Sequence, residues 1–416
     1  MKKRAPSEKK FIGIFLTFLL CLSSSLFSQK NSCVTCHSKL EDELKAPVEG
    51  FKLDVHQQFG LSCKDCHGGN PEQEDVDLAK DKSFKGAPSK AQIPQFCGSC
   101  HSDSAYMKKY KPGLRVDQLD QYWTSRHGQL LKKGDTKAAV CTDCHGVHGI
   151  QASSYPKSYT FPWNIPQTCG RCHSDQEYMK AYNIATNQVE EYRQSVHAHA
   201  LFEKKDLSAP VCNDCHGNHG AAPPEIASIA YVCRQCHPST GEIFSQSPHK
   251  KAFDELGIAE CEACHGHHKI SRPQDSMVGT GKESVCIKCH EPDSKAYGVA
   301  AQLSQKLTAF LSEMNNAKEL LDKAQKKGVE VSGPQFNLLE ANTRLIQVRN
   351  LTHGLSLEEI EPKIKEGEKI LIEVQKAGEE ALNEAKFRRT GLVIATLFLL
   401  LLAGALYLKV RQIKKV

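Results

Sequence analysis

Apolar positions form three patterns along this 416-residue chain. The first is a stretch from Phe11 to Leu22, preceded by Lys2, Lys3, Arg4, Lys9 and Lys10 and followed by Ser23 to Ser28. A positive start, an apolar middle and a small polar exit predict a secretory signal peptide over 1–28, cleaved after Ser25 or Ser28. Cys21 lies inside it behind Leu20, which is too large for a lipoprotein cleavage site, so Cys21 is discarded with the peptide. The second pattern runs from Gly391 to Leu408 without a charge and is long enough to span a bilayer as a helix. Arg388 and Arg389 flank it on one side, and Lys409, Arg411, Lys414 and Lys415 on the other. That asymmetry is slight, so orientation follows from export of the body. The span is 390–410, and the tail 411–416 stays in the cytoplasm.

The third pattern is periodic. Leu303, Leu307, Phe310, Met314, Ala317, Leu321 and Ala324 step by four and three, which is the stripe of a core-facing helix. Gly328 and Ser332-Gly333-Pro334 interrupt it, and Pro334 suits the first turn of a new helix. Leu338, Ala341, Leu345 and Val348 continue the stripe. Ser356 and Glu359 form a capping box for a third helix, with Ile364, Leu371, Val374 and Leu382 apolar. Residues 295–389 therefore read as an antiparallel helical bundle or hairpin, a stalk whose last helix leads into the span. Before it, residues 29–294 predict short helices and long turns. Gly68 to Pro88 and Gln151 to Pro166 read as loops.

That region is organised by cysteine. Nine times, two cysteines separated by two residues are followed at once by histidine. The runs are Cys33, Cys36, His37; Cys63, Cys66, His67; Cys97, Cys100, His101; Cys141, Cys144, His145; and Cys169, Cys172, His173. The remaining four are Cys212, Cys215, His216; Cys233, Cys236, His237; Cys261, Cys264, His265; and Cys286, Cys289, His290. Zinc sites and disulfides also use paired cysteines, but neither needs a histidine after every second one. Cys-x-x-Cys-His is the attachment signature of c-type haem. The two thiols add to the porphyrin vinyl groups, and the histidine reaches back to the iron. The chain is thus expected to carry nine covalent haem c groups. Export agrees, because c-type cytochromes are assembled outside the cytoplasmic membrane. Aromatic residues are 7 %, too few for an ordinary core at this spacing of motifs, so the porphyrins must supply most of the buried apolar surface. The fold class is mainly α: a haem-cored region with little regular structure, a helical bundle, and one C-terminal transmembrane helix. Net charge is +6 and spread over the chain, with no nucleic-acid signature.

The motifs recur in pairs, as four two-haem units behind a lone first motif. Ten histidines lie outside them. His127, His197 and His249 sit in Ser-x-His, twelve to fifteen residues before a motif. His148, His219 and His268 come three residues after a motif histidine, and His56 lies seven residues before Cys63. Recurrence inside repeats argues that these seven supply second axial ligands. His353, in the stalk, is a further candidate because seven ligands fall short of nine haems. His199 and His267 are spares. Met107 and Met179 sit in Tyr-Met-Lys contexts that look like ordinary helix faces.

Iron with two imidazoles has no free site for a substrate, so the chain reads as an electron carrier rather than an enzyme. These residues resemble the multihaem cytochromes c with doubled motifs, the cytochrome c3-like and tetrahaem group, over residues 33 to about 290. The resemblance implies electron transfer among bis-histidine haems in a bacterial periplasm. Membrane-anchored quinol-oxidising cytochromes of nitrate and nitrite respiration are similar in role, although their anchor is N-terminal. The expected partners are redox proteins or a quinone-linked complex in the cytoplasmic membrane. The competing class is a multihaem nitrite reductase or hydroxylamine oxidoreductase with one open haem. No Cys-x-x-Cys-Lys, which marks the catalytic haem of some such reductases, is present.

Overall fold

A computed structural model describes residues 31–223 and 231–414. The signal-peptide reading of 1–28 lies outside the described residues. Among those described there is no strand: short helices, 3₁₀ turns and loops lead into three long helices. The chain forms two compact units. One comprises residues up to Val189 together with Ala200–Pro223, and the other Glu190–His199 together with residues 231 onward.

In the first unit, most attachment segments are single helical turns with repeated start and stop signals. Asp65, Asp143 and Asp214, the second residue between each cysteine pair, accept from the N–H groups of Ser62, Val140 and Val211 at 2.7–2.8 Å. This satisfies donors that a helix start leaves without partners. The turns end at Gly68, Gly146 and Gly217, with φ of +70°, +81° and +83°. A glycine there reverses the chain at no steric cost. The partner motifs sit on longer helices, Ile93–His101 and Ile165–His173, whose first turns hold the buried Pro94 and Pro166. The expected loop to Pro166 therefore ends early, with a 3₁₀ turn at Pro162–Asn164 and the helix beginning at Ile165, because proline is at home in a first turn, where its missing N–H costs nothing. A small apolar cluster of Tyr122, Leu131, Ala138 and Val140 is buried nearby. The stalk's cluster is several times larger, in keeping with a region that relies on its cofactors for apolar burial.

The second unit contains the stalk. Its helices are Lys295–Lys326, Ser332–Leu351 and Leu357–Ile413. The sequence stripe faces inward: Leu303, Leu307, Phe310, Ala317, Leu321 and Ala324 are buried, and so are Ala341, Leu345, Val348, Ile364, Leu371 and Val374. Gly367 leaves room for the Phe310 ring; a Cβ there would lie 2.3 Å from Phe310 Cζ. The first break falls at Gly328, φ +80°. The Ser356 hydroxyl accepts from the Glu359 N–H and starts the third helix. That helix continues unbroken through Gly391–Leu408, where its side chains are exposed. It is long and apolar enough to cross a membrane, which fits a single-pass anchor.

Candidate metal centres

Successive attachment cysteines lie side by side within each unit. In the first, Cys33 faces Cys63, Cys66 faces Cys100, and Cys144 faces Cys169. Cys97 lies beside Cys141, and Cys169 beside Cys212. In the second, Cys233 lies beside Cys261, and Cys264 near Cys286. Burial first and the neighbouring Cys100 second push the Cys66 thiol up to about 11. Burial first and Cys169 second do the same for Cys144, also to about 11. Thiols meant to ionise would be spread apart or set beside positive charge. These are crowded, as groups bound for covalent attachment at one edge of a ring can be.

The histidines are paired across gaps. In the first unit, ring centres lie 6.0 Å apart for His67 and His148, 5.9 Å for His101 and His56, 6.0 Å for His145 and His219, and 6.2 Å for His173 and His127. In the second, they lie 6.5 Å apart for His237 and His197, 5.7 Å for His290 and His249, and 6.1 Å for His265 and His353. A metal holds an imidazole nitrogen at about 2 Å, and the ring centre is roughly 1 Å further out, so two imidazoles on opposite faces of one metal have centres about 6 Å apart. Each pair joins one motif histidine to one other. Burial pushes His145 down to about 4, helped by His219 and His101. Burial also lowers His101, His127, His148, His173, His197, His219, His249 and His265. The neutral ring is the form that ligates metal.

Supporting bonds turn the rings. The Nδ1–H of His37 donates to Leu44 O at 2.9 Å, and that of His67 to Gly86 O at 2.9 Å. His216 does so to Ala222 O at 3.3 Å, and His353 to Asn350 O at 2.9 Å. Fixing Nδ1 this way presents Nε2 to a metal. Ser-x-His also has a physical cause. Ser125 and Ser195 are buried helix caps whose hydroxyls accept from the N–H groups of Gly128 and Ala198, which sets the histidine on the first turn. Asp54 does the same before His56, accepting from both its N–H and its Nδ1. His56 therefore belongs to the same motif with aspartate as the cap. Asp54-Val55-His56 was the sequence signal for that equivalence, and its spacing to Cys63 hid it.

His353 reaches its place through the stalk. The Arg349 guanidinium makes two bonds to Asp275, at 2.8 and 2.7 Å, and Asn350 bonds Ser239 and Thr240 at 3.0 and 2.7 Å. His268 lies with Glu191 and His267, their ligating atoms within 4.8 Å of one another, and His267 Nδ1 also contacts Glu262 at 2.5 Å. His199 sits on the helix Val196–Phe202. His37 has no second ring beside it among the described residues.

Residues 55–174 match the family model of cytochrome c3. That segment is similar to multihaem cytochromes c. The match covers four of the nine cytochrome motifs and three of the paired distal histidines, His56, His127 and His148. The match implies covalent haem c as cofactor and electron transfer as activity. No curated protein and no solved structure matches the chain. The cytochrome residues suit the group they imply. Paired thiols precede each motif histidine, and the seven imidazole gaps are the width of one iron.

Proposed function

We propose that this chain is a membrane-anchored, periplasmic multihaem cytochrome that relays electrons between respiratory partners through about nine haems, most with two axial histidines. The seven imidazole pairs, each a metal-diameter apart, carry the reading. The cysteines that would hold the groups are Cys33 and Cys36, Cys63 and Cys66, Cys97 and Cys100, Cys141 and Cys144, and Cys169 and Cys172. Cys212 and Cys215, Cys233 and Cys236, Cys261 and Cys264, and Cys286 and Cys289 complete the set. Haem c supplies reversible one-electron chemistry when bound.

The chain's own residues do the rest. Adjacent cysteine pairs bring neighbouring groups close in sequence order, which favours a line over a cluster. Where an iron has two imidazoles, a substrate has no entry. Caps at Asp54, Ser125 and Ser195, and the carbonyls bonded to Nδ1, hold rings in place so that little reorganises when charge moves. The exposed apolar helix supports anchoring. Redox proteins or a quinone-linked membrane complex are the partners this arrangement suits.

The test is purification from membranes of a haem-assembling host. Intact mass and the haemochrome spectrum give the haem number, and low-temperature electron paramagnetic resonance gives axial ligation. About nine haems with mostly low-spin signals are expected. Secreted protein without Soret absorption, or with zinc in place of iron, defeats the reading.

A further inference from the structure

The repeat obeys a register. The histidine three residues after a first-motif histidine faces the first-motif histidine of the preceding repeat: His148 faces His67, and His219 faces His145. Each such loop carries the same backbone bond. The N–H of Val55 donates to Ile150 O at 2.7 Å, and that of Arg126 to Ala221 O at 2.9 Å. Both carbonyls lie two residues beyond the facing histidine.

The same step from His67 lands on Asn70. The motif before this repeat is the lone Cys33–His37, and its segment touches the Asn70 loop: the Ser32 N–H donates to Pro71 O at 2.8 Å. The position that should offer an imidazole to the first haem therefore carries a carboxamide, whose Oδ1 already accepts from the Glu72 N–H at 3.1 Å. His37 correspondingly has no ring opposite it among the described residues, and no undescribed residue is a histidine. Its Nδ1 is nonetheless bonded to Leu44 O, as in a working axial ligand. The surroundings are open, with Cys36, Leu40 and Leu44 exposed.

We propose that the haem on Cys33, Cys36 and His37 has no second protein imidazole, that Asn70 stands where later repeats place one, and that its iron takes a small exchangeable ligand. Water fills the position in the ferric state, and a neutral diatomic such as carbon monoxide in the ferrous state. The proposal rests on the haem reading above.

The experiment uses the full-length, haem-loaded protein. The ferric sample is examined for high-spin signal, and the ferrous sample is titrated with carbon monoxide. At least one high-spin iron and one bound carbon monoxide per chain are expected. Asn70→His is expected to remove one of each by supplying the missing ligand, with haem number unchanged. Wild-type protein with every iron low-spin and no carbon monoxide uptake overturns the proposal. So does Asn70→His that binds carbon monoxide as fully as wild type. If the protein lacks haem altogether, the relay itself fails, and the haemochrome count separates that outcome from these.

Discussion

Replacing His353 with alanine separates ligation from scaffolding. The ring sits 6.1 Å from His265, on a turn held independently by Arg349 to Asp275 and by Asn350 to Ser239 and Thr240. Alanine removes one internal hydrogen bond, Nδ1 to Asn350 O, worth about 1 kcal/mol. The stalk core, from Leu303 to Ala385, is untouched. The helical signal and the melting of the stalk should thus hardly change, while one iron loses its second imidazole. In the ferric spectrum the high-spin population should rise by one iron per chain, and carbon monoxide uptake by one equivalent. His353→Met should restore the low-spin state at a higher potential, because a thioether favours the ferrous form. An unchanged spin state in His353→Ala would refute the reasoning and leave His353 as a helix-end residue only.

Phe310→Ala should cost the stalk about 3–5 kcal/mol, since the ring fills the space opposite Gly367; a chemical melt followed by circular dichroism checks this. Protein made without haem attachment should keep the stalk helices but lose the protease resistance of the motif region, because that region has few buried side chains of its own. Ending the chain after Arg389 should release it from the membrane fraction with its haems intact, as fractionation and absorbance would show.

The candidate attachment residues are marked in the sequence itself, because a covalent signature is local and recurs nine times. The stalk was equally plain, as Leu303 to Ala324 and Ala341 to Val348 keep their period without interruption. Which distal histidine faces which motif was not legible. His148 meets His67 and His353 meets His265 across long stretches of chain, and nothing local encodes such a meeting. The equivalence of His56 to His127 was hidden by the short spacing from His56 to Cys63, although Asp54 stands where the capping serine does. His268 shares the sequence register of His148 and His219, and its contacts with Glu191 and His267 could not be read from that register. A loop was expected up to Pro166, where the helix had already begun at Ile165, because proline reads as a breaker unless its place in a first turn is recognised.

The third stalk helix begins beside His353 and runs without a break into the apolar stretch. At 1.5 Å per residue, the part from Leu357 to Arg389 is about 50 Å long. With that stretch across a bilayer, the His265–His353 pair rides at the top of a mast, far above any lipid-soluble reductant. No single tunnelling event crosses such a height, so under the proposed relay a lipid-soluble reductant does not reduce that centre directly. A tilt of about 20°, ordinary for membrane helices, swings the masthead sideways by some 15–20 Å. One rigid pole thus lets the same end sweep an area well clear of the bilayer surface.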